Sequence, residues 1–232
     1  IPVLVCLLLL AISAAGGQQM AEKKEQDSAT GIRIEEKDGK EYFIFQDVKE
    51  NSYRAELLEN VPKNIYDFSC LSTDEDTGLK KYNDEKNGIT SKMGIDVSEF
   101  QGGDIDWKQV KDSGIEFVIV RVGYRAYGES GELVKDAMFE QNIEGALEAG
   151  LEVGVYFFSQ AITPGEAVEE AEFVLDLIRP YKITGPVVYD TEEIKGDTAR
   201  TDGNTRQEFT NYCKVFCDTV EHAGYDLSLI HI

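Results

Sequence analysis

Beyond Met93 the chain alternates between short apolar runs and longer stretches of helical period. MGIDVS, FVIVRV, LEVGVYFF and GPVVYD are brief, rich in β-branched and aromatic residues, and read as strands. Between and after them lie four helical patterns with their own start and stop signals. Asp106 can cap a helix near Trp107, with Gln109 three positions on and Gly114 at its end. Positions 137–149 form an amphipathic stretch that stops at Gly150. Thr163 and Glu166 make a capping box around Pro164, a favoured first helical residue, for a helix running to Arg179. Thr205 and Glu208 make another, for a helix ending at Gly224.

Strand–helix alternation of this kind implies an α/β fold, a parallel sheet with helices outside it. A closed eight-stranded barrel takes about 250 residues, so four units in about 130 residues amount to the first half of a (β/α) TIM-like barrel. An open doubly wound sheet is the competing architecture, although no GxGxxG strand-to-helix turn is present to serve a nucleotide.

The chain before Met93 is patterned differently. Ile1–Ala15 is almost wholly apolar, ends in small residues and turns polar at Gln18. Residues 1–17 therefore read as a signal peptide or, if uncleaved, a membrane anchor. Their apolar run is shorter than the ~20 residues that a spanning helix needs. Residues 18–92 read as a charged linker followed by a small N-terminal region. Within it, IRIEE and EYFIF flank Lys37-Asp38-Gly39-Lys40, and Asp-Gly between alternating apolar runs signals a hairpin. From Asn51 to Lys92 there is no strong period, and STDEDTG and KKYNDEKNG read as loop. At the far end LSLIHI, residues 227–232, resembles the translation of a sequencing-library adapter and is expected not to be native protein. That bounds the main domain at 93–226.

Composition narrows the chemistry. With 23 basic and 44 acidic residues the net charge is −21, which repels phosphates and argues against nucleic acid as a partner. The same charge suits a well-solvated secreted or envelope-associated monomer, membrane-bound only if the leader is retained. Cys213 and Cys217 are four apart on one helical face, where a disulfide is geometrically poor, so they read as small buried hydrophobes. Cys70 has no partner suggested by spacing, and no cysteine spacing reads as a zinc site. Of two histidines, His222 is near a helix end and His231 is in the terminal hexapeptide. Histidine chemistry, metals and cofactors are not expected.

Carboxylates remain. Asp96 ends the first strand, and Asp190 and Glu192 end the fourth, the ends where barrel enzymes carry their catalytic groups. Side chains alternate along a strand, so positions 190 and 192 point the same way, their bases roughly 6–7 Å apart. Two carboxylates that close resist ionising together, so one keeps a raised pKa. A protonated carboxyl beside an ionised one is what glycoside hydrolysis needs. The bland alternative is a solvated acidic strand end in an acid-rich protein. Tyr124, Tyr156 and Phe158 lie near strand ends and could stack on sugar faces or simply pack in the core; Trp107 reads as core. Arg121 and Arg125 flank the second strand's end, where one could reach a carboxylate or both could stay solvated.

GIDVSEFQGGDIDW, FVIVRVGY, GLEVGVYFFSQA and PVVYDTEE, in this order and spacing, resemble glycoside hydrolase family 25, over Met93 to Asp226. The resemblance implies a barrel muramidase that cleaves the β-1,4 bond between N-acetylmuramic acid and N-acetylglucosamine in peptidoglycan glycan strands. It makes Glu192 the general acid and Asp190 the partner carboxylate that stabilises positive charge at the sugar. Asp96 positions and tunes the pair, and Glu193 faces away. The family's later strands have no counterpart in the sequence, and half a barrel leaves an unpaired strand edge. The 232-residue chain alone is therefore expected to fold poorly and be inactive. Two other readings compete: a chitinase-like glycosidase, whose longer acidic strand motif is missing from residues 186–189, and a non-catalytic wall-binding module.

Overall fold

A computed structural model describes residues 4–5, 33–46, 52–58, 66–75, 78–192 and 198–231. The leader, apart from Leu4–Val5, the linker 18–30 and Glu193 lie outside the described residues. The chain divides into two compact units, Leu8–Phe68 and the remainder.

In the first unit, Arg33–Lys37, Lys40–Gln46 and Ser52–Glu56 form an antiparallel three-stranded sheet. Lys37 faces Lys40 across a two-residue turn with positive φ at Asp38 (55°) and Gly39 (73°). That is the turn Asp-Gly favours, because its twist matches the strands it joins. The third strand has no sequence signal.

The larger unit opens with polar strands where the sequence pattern reads loop. Leu71–Thr73, Lys80–Asp84 and Ile89–Lys92 pair antiparallel in turn. Each of the last two strands buries a single apolar side chain, Tyr82 or Ile89, which is too little to create a visible period. Their turn is built by Asp84, whose carboxylate accepts from Asn87 N at 3.1 Å and Nδ2 at 2.7 Å, and by Gly88 at φ 64°.

The central sheet follows. Its strands are β1 (Gly94–Val97), β2 (Phe117–Arg125), β3 (Leu133–Lys135), β4 (Glu152–Phe158), β5 (Val187–Thr191) and β6 (Leu227–His231). All but β3 are parallel, and they are neighbours in chain order: β1, β2, β4, β5, β6. β3 pairs antiparallel with the far end of β2, on the side where β1 pairs with its beginning. β6 pairs parallel with β5 over Leu227–His231, and Val187 N donates to Asp226 O at 2.8 Å.

The helices are α1 (Trp107–Asp112), α2 (Phe139–Glu148), α3 (Pro164–Ile178) and α4 (Arg206–His222). Their caps are those the sequence announces. Gln109 N, Glu166 N and Glu208 N donate to the side chains of Asp106 at 2.9 Å, Thr163 at 3.1 Å and Thr205 at 3.3 Å. All four helices feed one core. Trp107, Phe139, Ile143, Val174, Phe216 and Val220 pack with Val118, Val120, Val153, Val155, Phe157 and Val187 of the strands. An open doubly wound sheet would reverse its strand order and divide its helices between two faces. Among the described residues this sheet does neither. Trp107 seats against Gly145, where an added Cβ would lie 2.3 Å from the indole, so α1 and α2 approach closely.

Candidate active site

Strand alternation sorts the residues. Val118, Val120, Val153, Val155, Phe157, Val187 and Tyr189 face the helices. Their neighbours take the opposite face, where Phe117, Ile119, Val188 and Tyr156 cluster. The register sets Asp96 beside Ile119, Arg121 beside Tyr156 and Phe158 beside Asp190. Asp96, Tyr156, Phe158 and Asp190 therefore share the helix-free face, and Glu192, two residues beyond Asp190, follows them. Gly154 belongs there too, since its missing Cβ would lie 2.7 Å from Ile119 Cδ1.

Tyr124 reaches the same face by a defect in pairing. Tyr156 pairs with Arg121 but Phe157 pairs with Gly123, so Val122 and Gly123 together oppose Phe157. This is a β-bulge, which re-aims the side chains after it. Without it, position 124 would point at the helices. With it, Tyr124 stands opposite Phe158.

Asp190 is 3% exposed, and among the described residues its Oδ1 has no hydrogen-bond partner. Burial first, then the negative charges of Glu192 and Asp96, push its pKa up to about 8, against the pull of Arg121. Burial raises Glu192 as well, while a hydrogen bond from Asp190 lowers it. Both carboxyls are thus raised, as two acids this close resist ionising together. Tyr156 interacts with Arg121, Asp96 and Asp190 and hydrogen-bonds the Ser98 side chain, and burial pushes its phenol up to about 12.

Both arginines reach carboxylates and neither is a solvated surface group. Arg121 Nε donates to Asp136 Oδ2 at 2.6 Å and a terminal nitrogen donates to Glu99 Oε1 at 3.0 Å. Its guanidinium lies 5.0 Å from the Phe100 ring centre and 5.3 Å from that of Tyr124. Asp136 is fully buried and also accepts from Glu99 N at 3.0 Å and Met138 N at 2.9 Å. It ties the β1 loop to the start of α2. That residue carries no obvious sequence signal beyond being a short acid just before a helix. The Ser-x-x-Gln of the opening run has a local purpose: Ser98 N donates to Gln101 Oε1 at 2.7 Å and Phe100 N to Ser98 Oγ at 3.3 Å, which braces the turn after Asp96.

The other sequence candidates fall as follows. Phe158 is 9% exposed and takes the ring of Tyr127 edge-on at 6.0 Å. Cys213 and Cys217 are thiols with sulfurs 3.9 Å apart on α4. His222 is exposed at the end of α4. Among the described residues no group of His, Cys, Asp and Glu is clustered to hold a metal ion.

The model described as Glycosyl hydrolases family 25 matches residues 95–229. The autolytic lysozyme of Clostridium acetobutylicum is 27% identical over 119 residues, 51% of this chain and 34% of the relative. The modular autolysin LytC from Streptococcus pneumoniae superposes with a TM-score of 0.54 at 23% identity, over 85% of this chain and 43% of that one. A family 25 glycosyl hydrolase from Bacillus anthracis does so at 0.51 and 22% identity, over 65% of this chain and 64% of that one. The chain thus spans 34% of the length of the curated relative.

Proposed function

The chain belongs to glycosyl hydrolases family 25, and on that premise we propose that it is a peptidoglycan hydrolase, an N-acetylmuramidase cutting the β-1,4 bond between N-acetylmuramic acid and N-acetylglucosamine. The observation that carries this reading is the Asp190–Glu192 pair, the first buried and the second half-buried, with both carboxyls raised beside Asp96 at the parallel strand ends. The chain-order sheet, helices on one face only, is read as part of a closed (β/α) barrel with this face inside. The apolar leader, residues 1–17, supports export to the cell envelope.

The chemistry follows from the shared proton. Positive charge developing at the muramic acid ring favours ionised Asp190, so the proton passes across the hydrogen bond to Glu192. Glu192 then donates it to the leaving glycosidic oxygen, and the Asp190 carboxylate faces the oxocarbenium-like sugar. Asp96 disfavours a second negative charge on the pair and so keeps the proton in place. Tyr124 and Tyr156 offer ring faces to the glycan, and the buried Phe158 supports the floor beneath them.

The test is Glu192→Gln in the full-length protein, assayed on purified peptidoglycan. Release of reducing ends should fall by about 10²–10⁴-fold, the usual contribution of a general acid, while glycan binding persists. Unchanged turnover would refute the acid assignment. A wild-type protein that binds glycan without hydrolysing it would instead favour the wall-binding module.

A further inference from the structure

Behind Asp190, on the helix side of the sheet, lies a charged cluster that the proposed chemistry does not use. Glu170, on α3, is 0% exposed. Its Oε1 accepts from Arg125 Nε at 2.8 Å, and its Oε2 lies 2.6 Å from Ser159 Oγ. Ser159 Oγ also lies 2.9 Å from the hydroxyl of Tyr189. Tyr189 precedes Asp190 on β5 and packs on Phe216 of α4 at 5.0 Å between ring centres. Arg125 also donates to Gly131 O at 2.7 Å, Glu166 O at 3.0 Å and Glu169 Oε2 at 3.1 Å.

Ser159 therefore holds the strand end twice. Its side chain grips Tyr189, and its main-chain N donates to Asp190 O at 2.8 Å. Residues 189 and 190 point to opposite faces, so whatever fixes the Tyr189 ring against the helices fixes the direction in which Asp190 leaves the backbone on the other face. Burying a glutamate costs several kcal/mol unless it is fully paired. Apolar side chains would satisfy the packing alone. The arrangement makes sense as a rigid mount for the acid pair.

We propose that Glu170, held by Arg125, is a positioning residue for the Asp190–Glu192 pair and acts through Ser159. The inference rests on the muramidase reading of that pair. It assigns Glu170 no contact with substrate: the hydroxyl chain Glu170–Ser159–Tyr189 sets the angle at which Asp190 meets the sugar and Glu192. Burial pushes the Glu170 carboxyl up to about 7, with Ser159 and Arg125 opposing that rise, so the group is sensitive to any change in its two partners.

The experiment compares Glu170→Gln, Ser159→Ala and Tyr189→Phe in the full-length protein on soluble glycan oligomers. Displacing a catalytic group by a fraction of an ångström costs on the order of tenfold to a hundredfold in rate. We expect kcat to fall by about that factor in Glu170→Gln and Ser159→Ala and less in Tyr189→Phe, with KM within about twofold. The alkaline limb of the pH profile should move with it. Combining Glu170→Gln with Ser159→Ala should add little, because both cut the same chain. Folded variants that keep wild-type kcat, or that lose activity only through KM, overturn the proposal. Ser159→Ala and Tyr189→Phe are small deletions, and their kcat values decide between the outcomes should Glu170→Gln fail to fold. An inactive wild-type protein would overturn the muramidase reading instead. The midpoint of the Asp190 carboxyl resonance, followed by NMR, would then decide this inference, which fails if Ser159→Ala leaves that midpoint in place.

Discussion

Tyr124 lies opposite Phe158 across the sheet, and it does so because Val122 and Gly123 both oppose Phe157. The bulge needs glycine. A Cβ on Gly123 would meet Val134 O at 2.2 Å, the carbonyl of the neighbouring antiparallel strand. Gly123→Ala must push β3 away or undo the bulge and is expected to cost about 1–3 kcal/mol. For a chain of this size that lowers Tm by about 2–4 °C per kcal/mol. Gly128→Ala, with nothing within 4 Å of its added Cβ, should melt like wild type. Equal melting temperatures for the two variants would show that the bulge tolerates a side chain.

The Arg121–Asp136 pair predicts a second loss. Both groups are buried, and removing Asp136 leaves the Arg121 guanidinium with only the half-exposed Glu99 as a paired carboxylate. Asp136→Ala should cost about 3–5 kcal/mol in denaturant unfolding. Asp136→Asn, whose single amide oxygen can accept from Glu99 N or from Met138 N but not from both, should cost somewhat less than Asp136→Ala. An Asp136→Ala midpoint indistinguishable from wild type would mean that Glu99 and solvent satisfy Arg121 without it.

Stability should fall with rising pH wherever Asp190 and Glu170 govern it. Both carboxyls are raised in the fold, Asp190 from 3.8 to about 8 and Glu170 from 4.5 to about 7. The fold therefore binds protons that the unfolded chain releases. The stabilisation is complete below the unfolded values and is lost as pH climbs through the folded ones. Asp190→Asn mimics the protonated form at every pH. Its Tm should match wild type near pH 4 and exceed it above pH 8, measured by calorimetry at both ends. A gap that does not widen with pH would place the Asp190 carboxyl near its ordinary value.

Activity should follow the same proton. The pair needs one proton to protonate the leaving oxygen, so kcat should decline as pH rises through about 8. Asp96→Asn removes one of the negative charges that hold the proton in place, so it should move that decline to lower pH. A decline that stays at the wild-type pH would remove Asp96 from the electrostatics of the site.

Local rules carried much of this protein. The Asp38-Gly39 turn, the caps at Asp106, Thr163 and Thr205, and the four strand–helix units from Met93 were all legible, because a cap or a turn is decided within four residues. The acids at strand ends were legible too, since the side-chain period of a strand is two and Asp190 and Glu192 obey it. Tertiary structure decided the rest. A bulge at Val122–Gly123 turned Tyr124 onto the face that carries the acids, and nothing in the run VRVGYR announces a slip in register that depends on two other strands. The polar strands Lys80–Asp84 and Ile89–Lys92 form because partners supply their hydrogen bonds, whatever their hydropathy. How far burial raises each carboxyl depended on how deeply it lies. Burial is a sum over distant segments, and no window of sequence contains it.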